Sequence, residues 1–195
     1  MFQTRIHGRG GQGVVTAAEL LSVAAFDAGA HAQAFPSFGS ERTGAPVVAY
    51  CRIDDKPIRT REPIVVPDAL IIQDATLLHQ VDLLAGLPEH AYLVVNTTED
   101  IARLGIDAYL ADHRSERIVT LPATQMALRH IGRPVPNAIL LAGFAALTHV
   151  ITLAGLELAL AERFSGPVLE ANMAAAREAY ELVAAGMEAA DATAD

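Results

Sequence analysis

Cysteine is almost absent from this chain, and its scarcity excludes several functions. The 195 residues contain a single cysteine, Cys51, whereas a cubane iron–sulfur cluster needs four thiolates and zinc or redox motifs need a Cys-x-x-Cys pair. The chain is therefore expected to hold no cluster. Cys51 lies in the apolar run 47–53, which favours a buried, inert thiol over a reactive one. One cysteine and no visible secretory signal indicate a reducing, cytoplasmic compartment.

Other catalytic signatures and a basic charge are missing too. No Lys follows Gly13, as a nucleotide-triphosphate loop requires, and no Gly-x-Ser-x-Gly sequence indicates a hydrolase. The seven histidines show no spacing typical of metal ligands. A net charge of −9 argues against nucleic acid as a partner. The stretch 134–156 has the length of a membrane span, but prolines and polar residues interrupt it, so we expect no membrane partner.

Glycine, in contrast, is concentrated near the N-terminus. The segment Gly8-Arg9-Gly10-Gly11-Gln12-Gly13 follows the strand-like residues 2–6 and precedes residues 14–28, whose apolar spacing is helical. The pattern predicts a strand, a glycine turn and a helix start. Because the first amides of a helix are unpaired and its dipole attracts anions, such a turn can hold a phosphate or a carboxylate.

The same segment matches the dinucleotide fingerprint Gly-x-Gly-x-x-Gly. That fingerprint needs an acidic residue some twenty positions further on, which binds a ribose hydroxyl. An acidic residue is poorly supplied at this distance. Asp27 falls at the end of the predicted helix, and the next strand candidate, 31–34, ends in Phe35-Pro36. A stand-alone dinucleotide-binding protein of Rossmann type is therefore one alternative, and a tight turn with a purely structural role is another.

A second unusual segment, residues 35–46, connects two strand candidates. It is longer than an ordinary turn and contains two glycines, two prolines and the Glu41-Arg42 pair, which is typical of functional surface loops. A solvated ion pair at a loop tip is the plain alternative for Glu41 and Arg42. Further along, Asn96 stands at the end of a predicted strand, where a ligand cleft forms in open α/β sheets.

Apolar strand candidates alternate with helix candidates along the first two thirds of the chain. Strands are predicted at 2–6, 31–34, 47–53, 69–73, 91–95 and 117–121, and helices at 14–28, 75–85, 101–112 and 123–131. This alternation predicts an α/β fold with a mostly parallel, doubly wound sheet, helices on both faces, and residues 47–53 as a mixed or hairpin element. The length suits a single domain, 1–195.

Beyond Pro136 the chain is predicted to be helical. A helix from Asn137 to about Thr152 contains no charged residue, so we expect it to be buried against the sheet or another subunit. Asn137 fits the N-cap position of this helix. The last helix, 168–190, is amphipathic and is expected to pack back on the sheet.

Together, the two unusual segments resemble one known family. Gly8 to Val14 reads G-R-G-G-Q-G-V, and Pro36 to Pro46 reads P-S-F-G-S-E-R-T-G-A-P, followed by Arg52-Ile53. These motifs are similar to the gamma subunit, or gamma domain, of the 2-oxoacid:ferredoxin (or other acceptor) oxidoreductases; Thr43 stands where another residue is common. The family includes enzymes of pyruvate, 2-oxoglutarate, branched-chain and aryl 2-oxoacids such as phenylglyoxylate. Free-standing gamma subunits are single domains of about this size.

The resemblance implies a complex that performs CoA-acylating oxidative decarboxylation of a 2-oxoacid with thiamine diphosphate, Mg²⁺ and [4Fe-4S] clusters. This chain has no Gly-Asp-Gly followed by Asn-Asn, the usual thiamine diphosphate motif. We therefore expect these cofactors on alpha, beta and ferredoxin-like delta subunits, with electrons passing to ferredoxin or another acceptor. This chain is expected to be inactive alone and to contribute to assembly and CoA engagement. A purely structural scaffold subunit is the alternative.

The resemblance and the two motifs also indicate where CoA would bind. The expected binding residues are Gly8, Arg9, Gly10, Gly11, Gln12, Gly13, Ser37, Phe38, Glu41, Arg42, Gly44 and Asn96. Backbone amides and the guanidinium of Arg9 or Arg42 would contact the CoA phosphates, because diphosphate recognition needs clustered donors and close backbone approach. No catalytic or metal-binding residue is expected.

Overall fold

A six-stranded sheet forms the centre of the computed structural model, which describes residues 1–37 and 43–194. The strands are β1 Phe2–Arg9, β2 His31–Pro36, β3 Pro46–Asp54, β4 Ala69–Ile72, β5 Tyr92–Asn96 and β6 Ile118–Leu121. The helices are α1 Val14–Asp27, α2 Asp107–Leu110, α3 Ala123–Ile131, α4 Asn137–Thr148, α5 Leu153–Arg163 and α6 Gly166–Ala194. Short 3-10 helices span Ala75–His79, Ile101–Leu104 and Ser115–Arg117.

The strand order across the sheet is β2-β3-β1-β4-β5-β6. Strand β1 pairs in parallel with β4, β4 with β5, and β5 with β6, whereas β3 is antiparallel to both β1 and β2. Among the described strands, β3 alone therefore runs against the common direction. The α/β fold class with a mostly parallel sheet is confirmed, and so is the hairpin character of residues 47–53.

The two faces of the sheet are covered by different kinds of element. One face packs Ile6, Ile71 and Val94 against the long helices, while the other packs Leu70 and Ile72 against the short helical segments between β4 and β6. The longer helices predicted at 75–85 and 101–112 are therefore wrong in extent.

Different features mark the two segments in which these helices are short. The Arg5 guanidinium donates to the backbone oxygens of Leu83 and Ala85, at 2.7 and 2.8 Å, and so ties the segment after the first 3-10 helix to β1. In the second segment, Gly105 adopts a positive φ of 69° and ends the 3-10 helix before α2 begins.

The uncharged helix α4 lies in the interior of the folded chain, where it packs against α6 and β5. Its residues from Asn137 to Leu147 are buried, and the ring of Phe144 meets that of Phe2 edge-on, with 6.1 Å between centroids. Asn137 was predicted at the N-cap position of this helix. Instead, Pro136 occupies that position, and Asn137 is the first helical residue. Among residues 1–37 and 43–194, no helix combines the length and apolarity that a membrane span requires.

Candidate functional site

The glycine segment begins as part of the sheet and becomes a turn only at its end. Strand β1 continues through Gly8 to Arg9, three residues beyond the predicted strand. Gly10 then donates its N–H to Ala45 O at 2.9 Å and accepts from Gly44 N at 3.0 Å, so the turn is tied to the start of β3. Two of the predicted site residues, Gly10 and Gly44, are thus brought into direct contact.

The side chain of Gln12 supports this turn from within. Its Oε1 accepts the Arg9 backbone N–H at 2.7 Å, and its Nε2 donates to Asp74 Oδ2 at 3.1 Å. Because Asp74 follows β4, the Gln12 carboxamide joins the ends of two neighbouring strands. Gln12 therefore shapes the loop and does so with both ends of its amide.

The Arg9 guanidinium is largely occupied by partners within the chain. It contacts Asp74 Oδ2 at 2.9 Å, Gly44 O at 3.1 Å, Thr76 Oγ1 at 2.8 Å and Gln80 Oε1 at 3.2 Å. These bonds use four of the five N–H donors of a guanidinium. The geometry gives Arg9 a positioning role: it holds the glycine turn against the segment after β4.

Asp74 is the acidic partner of this network, and sequence reasoning did not select it. Burial would raise the pKa of its carboxyl, but hydrogen bonds from Thr76 and Gln12 and the charge of Arg9 outweigh burial, so the pKa lies below its usual range. Its position directly after a predicted strand was the available signal, because ligand clefts of open α/β sheets form at the carboxyl ends of strands.

Helix α1 starts at this turn with unpaired amides. Gly13 takes the N-cap position with a left-handed φ of 75°, and none of the described side chains caps the helix. The first intrahelical bond runs from Ala17 N to Gly13 O at 2.8 Å. The amides of Val14, Val15 and Thr16 therefore have no acceptor within the helix, and they border a cleft of about 270 Å³ at the glycine turn.

Gly11 and Gly13 both have positive φ, but their surroundings differ. A Cβ placed on Gly13 would lie 2.6 Å from Asn137 Nδ2, so the turn packs closely on the start of α4. Around Gly11, whose φ is 96°, no described atom outside its chain neighbours lies within 4 Å of such a Cβ. Gly13 is thus required by packing, whereas Gly11 borders open space in front of the turn.

The second predicted segment is described only at its two ends. Ser37 N donates to Val48 O at 2.9 Å, and Gly44 is held by Gly10 and Arg9. Phe38, Glu41 and Arg42 lie outside the described residues.

Asn96 lies at the strand end where it was predicted, and its amide joins two other elements. Its Nδ2 donates to Gln73 O and to Thr124 Oγ1, both at 2.7 Å, while its Oδ1 accepts from Thr124 N at 3.1 Å. Asn96 therefore caps the start of α3 and fixes the end of β4.

The acidic residue required by the dinucleotide alternative is at the wrong end of α1. Asp27 is exposed and ends a helix of 14 residues, which places it about 20 Å from the glycine turn at 1.5 Å per residue. No ribose contact from Asp27 to a ligand at the turn is feasible, and this geometry argues against a stand-alone dinucleotide site.

Comparison with known proteins shows to which family the chain belongs. Residues 3–182 match the pyruvate ferredoxin/flavodoxin oxidoreductase family. The chain belongs to this family. It is 47% identical over 160 residues to the pyruvate synthase subunit PorC of Methanosarcina barkeri, covering 82% of this chain and 85% of that one. It is 42% identical over 181 residues to the pyruvate/ketoisovalerate oxidoreductases common subunit gamma of Pyrococcus furiosus, covering 93% and 96%.

Solved structures agree with this assignment. The pyruvate oxidoreductase subunit PORC of Thermotoga maritima superposes with a TM-score of 0.80 at 35% identity, covering 92% of this chain and 95% of that one. The 2-oxoglutarate:ferredoxin oxidoreductase of Magnetococcus marinus shares the fold, with a TM-score of 0.71 at 18% identity over 94% of this chain and 31% of its own. The expected identity, a gamma subunit of a 2-oxoacid oxidoreductase, is confirmed.

Proposed function

We propose that this gamma-type chain engages CoA and helps to hold together a CoA-acylating 2-oxoacid oxidoreductase in the cytoplasm, acting as one domain over residues 1–195. Alpha, beta and ferredoxin-like delta subunits would be its partners. The names of its relatives favour pyruvate as the 2-oxoacid. The Magnetococcus marinus enzyme, of which 31% shares this fold, was solved with CoA and succinyl-CoA bound, and this supports CoA as a ligand of the proposed complex.

The redox and decarboxylation chemistry belongs to the partner subunits in this proposal. The residues of this chain do not fit a cluster, since Cys51 is the only cysteine and is fully buried. They also lack the thiamine diphosphate motif. When bound to the partners, thiamine diphosphate with Mg²⁺ would supply decarboxylation, and the clusters would pass the electrons to ferredoxin or another acceptor.

The observation that carries the CoA proposal is the space in front of Gly11, which no described residue fills, beside the first-turn amides of α1, which have no acceptor within the helix. A diphosphate is recognised by clustered N–H donors that it can approach closely, and the helix dipole adds to their attraction. Gly8, Gly10 and Gly13 would shape this surface, and the ion pair of Arg9 with Asp74 would hold it in position.

The connecting segment would complete the binding surface. Its residues Ser37, Phe38, Glu41, Arg42 and Gly44 follow β2 and return to the turn through the bond between Gly44 and Gly10. With Arg9 engaged by Asp74, the guanidinium of Arg42 is the better candidate for a direct phosphate contact. Asn96 would support the neighbouring cleft by fixing the end of β4.

The test is a substitution of Gly11 by Ala in the assembled complex. The added methyl group would project into the space that the diphosphate needs, and we expect the KM for CoA to rise by about tenfold, a loss of about 1.4 kcal/mol. Decarboxylation of the 2-oxoacid, followed without CoA, should be unchanged.

Gly29→Ala is the matched control, because Gly29 has a similar positive φ of 87° and equally open surroundings but lies at the far end of α1. The Gly29→Ala variant introduces the same backbone strain at a position away from the site. Equal KM values for CoA in the wild-type and Gly11→Ala complexes would contradict the CoA proposal and favour a purely structural scaffold.

A further inference from the structure

A second cleft, of about 360 Å³, lies at the carboxyl ends of β4, β5 and β6. The sheet order places it beside the topological switch point, because the chain runs from β1 to β2 and β3 on one side and to β4, β5 and β6 on the other. Open α/β sheets bind ligands in such crevices. The cleft is polar and mostly uncharged, with Gln12, Gln73, Asn96, Thr97, Thr124 and Gln125 among its lining residues.

One of these residues, Gln73, has an unsatisfied side chain. It is fully buried, and within the described part of the chain neither its Oε1 nor its Nε2 has a hydrogen-bond partner. Folded proteins satisfy most buried polar groups, because leaving one unpaired carries the full cost of removing it from water. A buried donor and acceptor side by side in a cleft wall therefore indicate a ligand that pairs with both.

The structure fixes the position of Gln73 on both sides. Its backbone N–H donates to His7 O at 2.7 Å, and its backbone oxygen accepts from Asn96 Nδ2 at 2.7 Å. Gly8 packs against it so closely that a Cβ on Gly8 would lie 3.0 Å from the Gln73 Cβ. These contacts hold the backbone and the Cβ of Gln73 in place, as a recognition residue needs.

The charges around the cleft decide which ligand chemistry fits. Asp74 is already paired with Arg9 at 2.9 Å, and Glu99 adds an acidic group at the rim. An anionic group is disfavoured here, unlike at the first turn of α1. A carboxamide presents one acceptor and one donor side by side, which matches the edge of an adenine or another amide.

We propose that this cleft binds an uncharged ligand group in which a hydrogen-bond donor adjoins an acceptor, and that Gln73 is the residue that recognises it. The assignment rests on the proposed CoA function. CoA carries two such groups, the adenine edge and the amides of its pantetheine arm, on opposite sides of its diphosphate. Recognition of either one would place Gln73 beside a diphosphate held at Gly11.

The experiment uses Gln73→Met, which keeps the length of the side chain but removes both polar atoms. Binding of adenosine 3′,5′-bisphosphate and of 4′-phosphopantetheine to the full-length chain is measured by calorimetry. We expect the dissociation constant of one fragment to rise at least tenfold and that of the other to be unchanged, which identifies the recognised group. The melting temperature without ligand should not fall, because an unpaired amide is replaced by an apolar side chain.

Gln33→Met is the matched control. Gln33 lies on β2, outside the cleft, and its Oε1 is also buried without a partner among the described residues. It should leave the binding of both fragments unchanged. Gln73→Leu serves as a second variant if Gln73→Met does not fold.

Two results would overturn the proposal. One is a lower melting temperature for Gln73→Met with unchanged binding of both fragments, which would make the carboxamide a structural group. The other is a wild-type chain that binds neither fragment. If Gly11→Ala raises the KM for CoA in the complex while Gln73→Met changes nothing, the CoA function stands and the role of Gln73 fails. If Gln73→Met weakens the binding of one fragment while Gly11→Ala leaves the KM for CoA unchanged, the role of Gln73 stands and the diphosphate site at Gly11 fails.

Discussion

At the scale of single residues, burial sets the chemistry of two side chains of the sheet, Cys51 and His7. Cys51 is fully buried, as predicted, and burial raises the pKa of its thiol, which favours an inert side chain. His7, beside the glycine segment, is also removed from solvent. Desolvation and the nearby positive charge of Arg5 lower the pKa of His7 to about 3, so its imidazole is neutral at physiological pH.

The low pKa of His7 predicts a specific pH dependence of stability. In the unfolded chain this histidine has a pKa of about 6.5, so between pH 6.5 and 3 the unfolded state binds a proton that the folded state does not. Stability should therefore be full above pH 6.5 and fall as the pH drops, by at most about 1.4 kcal/mol per pH unit. Urea denaturation at pH 7.5 and 5.0 measures the loss.

His7→Phe should remove this part of the loss, whereas His31→Phe, at an exposed position of β2, should keep it. A His7 imidazole that titrates near pH 6.5 by NMR in the folded chain would contradict the prediction.

At the scale of elements, the uncharged helix α4 forms part of the buried core of this chain. Sequence reasoning allowed burial against the sheet or against another subunit, and the structure shows the first, with α6 and β5 as its neighbours. Its start also supports the site, since Asn137 Nδ2 donates to Gly13 O at 3.4 Å. The helix thus links the core to the turn at which α1 begins.

The burial of α4 predicts a large penalty for a charge at Leu141, which is fully buried. Leu141→Asp would place an unpaired carboxylate in the core, at a cost of several kcal/mol. We expect a strongly lowered melting temperature and poor assembly of the complex. Leu158→Asp on α5 is the control, because Leu158 is 58% exposed. Equal melting temperatures of the two variants would show that α4 is accessible.

At the scale of the whole molecule, the candidate functional residues gather at the carboxyl ends of the parallel strands. The glycine turn, the Asp74 network, the polar cleft and the starts of α1, α3 and α4 are connected there by hydrogen bonds and close packing. The described residues contain no group of three or more His, Cys, Asp or Glu side chains suited to a metal ion. In the proposed function, this chain supplies a binding surface and the partner subunits supply the redox chemistry.

This division of labour predicts that the isolated chain is colourless and inactive. With one cysteine in the sequence, it cannot ligate a cluster that needs four thiolates. The purified chain should show no iron–sulfur absorption and no 2-oxoacid-dependent dye reduction, while co-expression with the partner subunits should restore both. A visible charge-transfer band in the isolated chain would refute this view.

Much of the fold could be predicted because it depends on local patterns. The β1, glycine turn and α1 sequence, the remaining strands and the uncharged helix were found from apolar periodicity and glycine placement within short windows. The helices at 75–85 and 101–112 were overextended. Gly105 ends the 3-10 helix in the second segment, whereas in the first the guanidinium of Arg5 binds carbonyls about eighty residues away in sequence. No local pattern contains that contact.

By itself, the sequence determined the family, the α/β class and the absence of cluster ligands, since motifs, periodicity and composition are properties of the chain order. The tertiary structure alone decided which contacts the expected site residues make. Arg9 pairs with Asp74, which lies 65 positions away, and the Gln73 side chain is buried without a hydrogen-bond partner among the described residues. Such roles depend on which distant groups come within hydrogen-bond distance, and only the folded chain sets those distances.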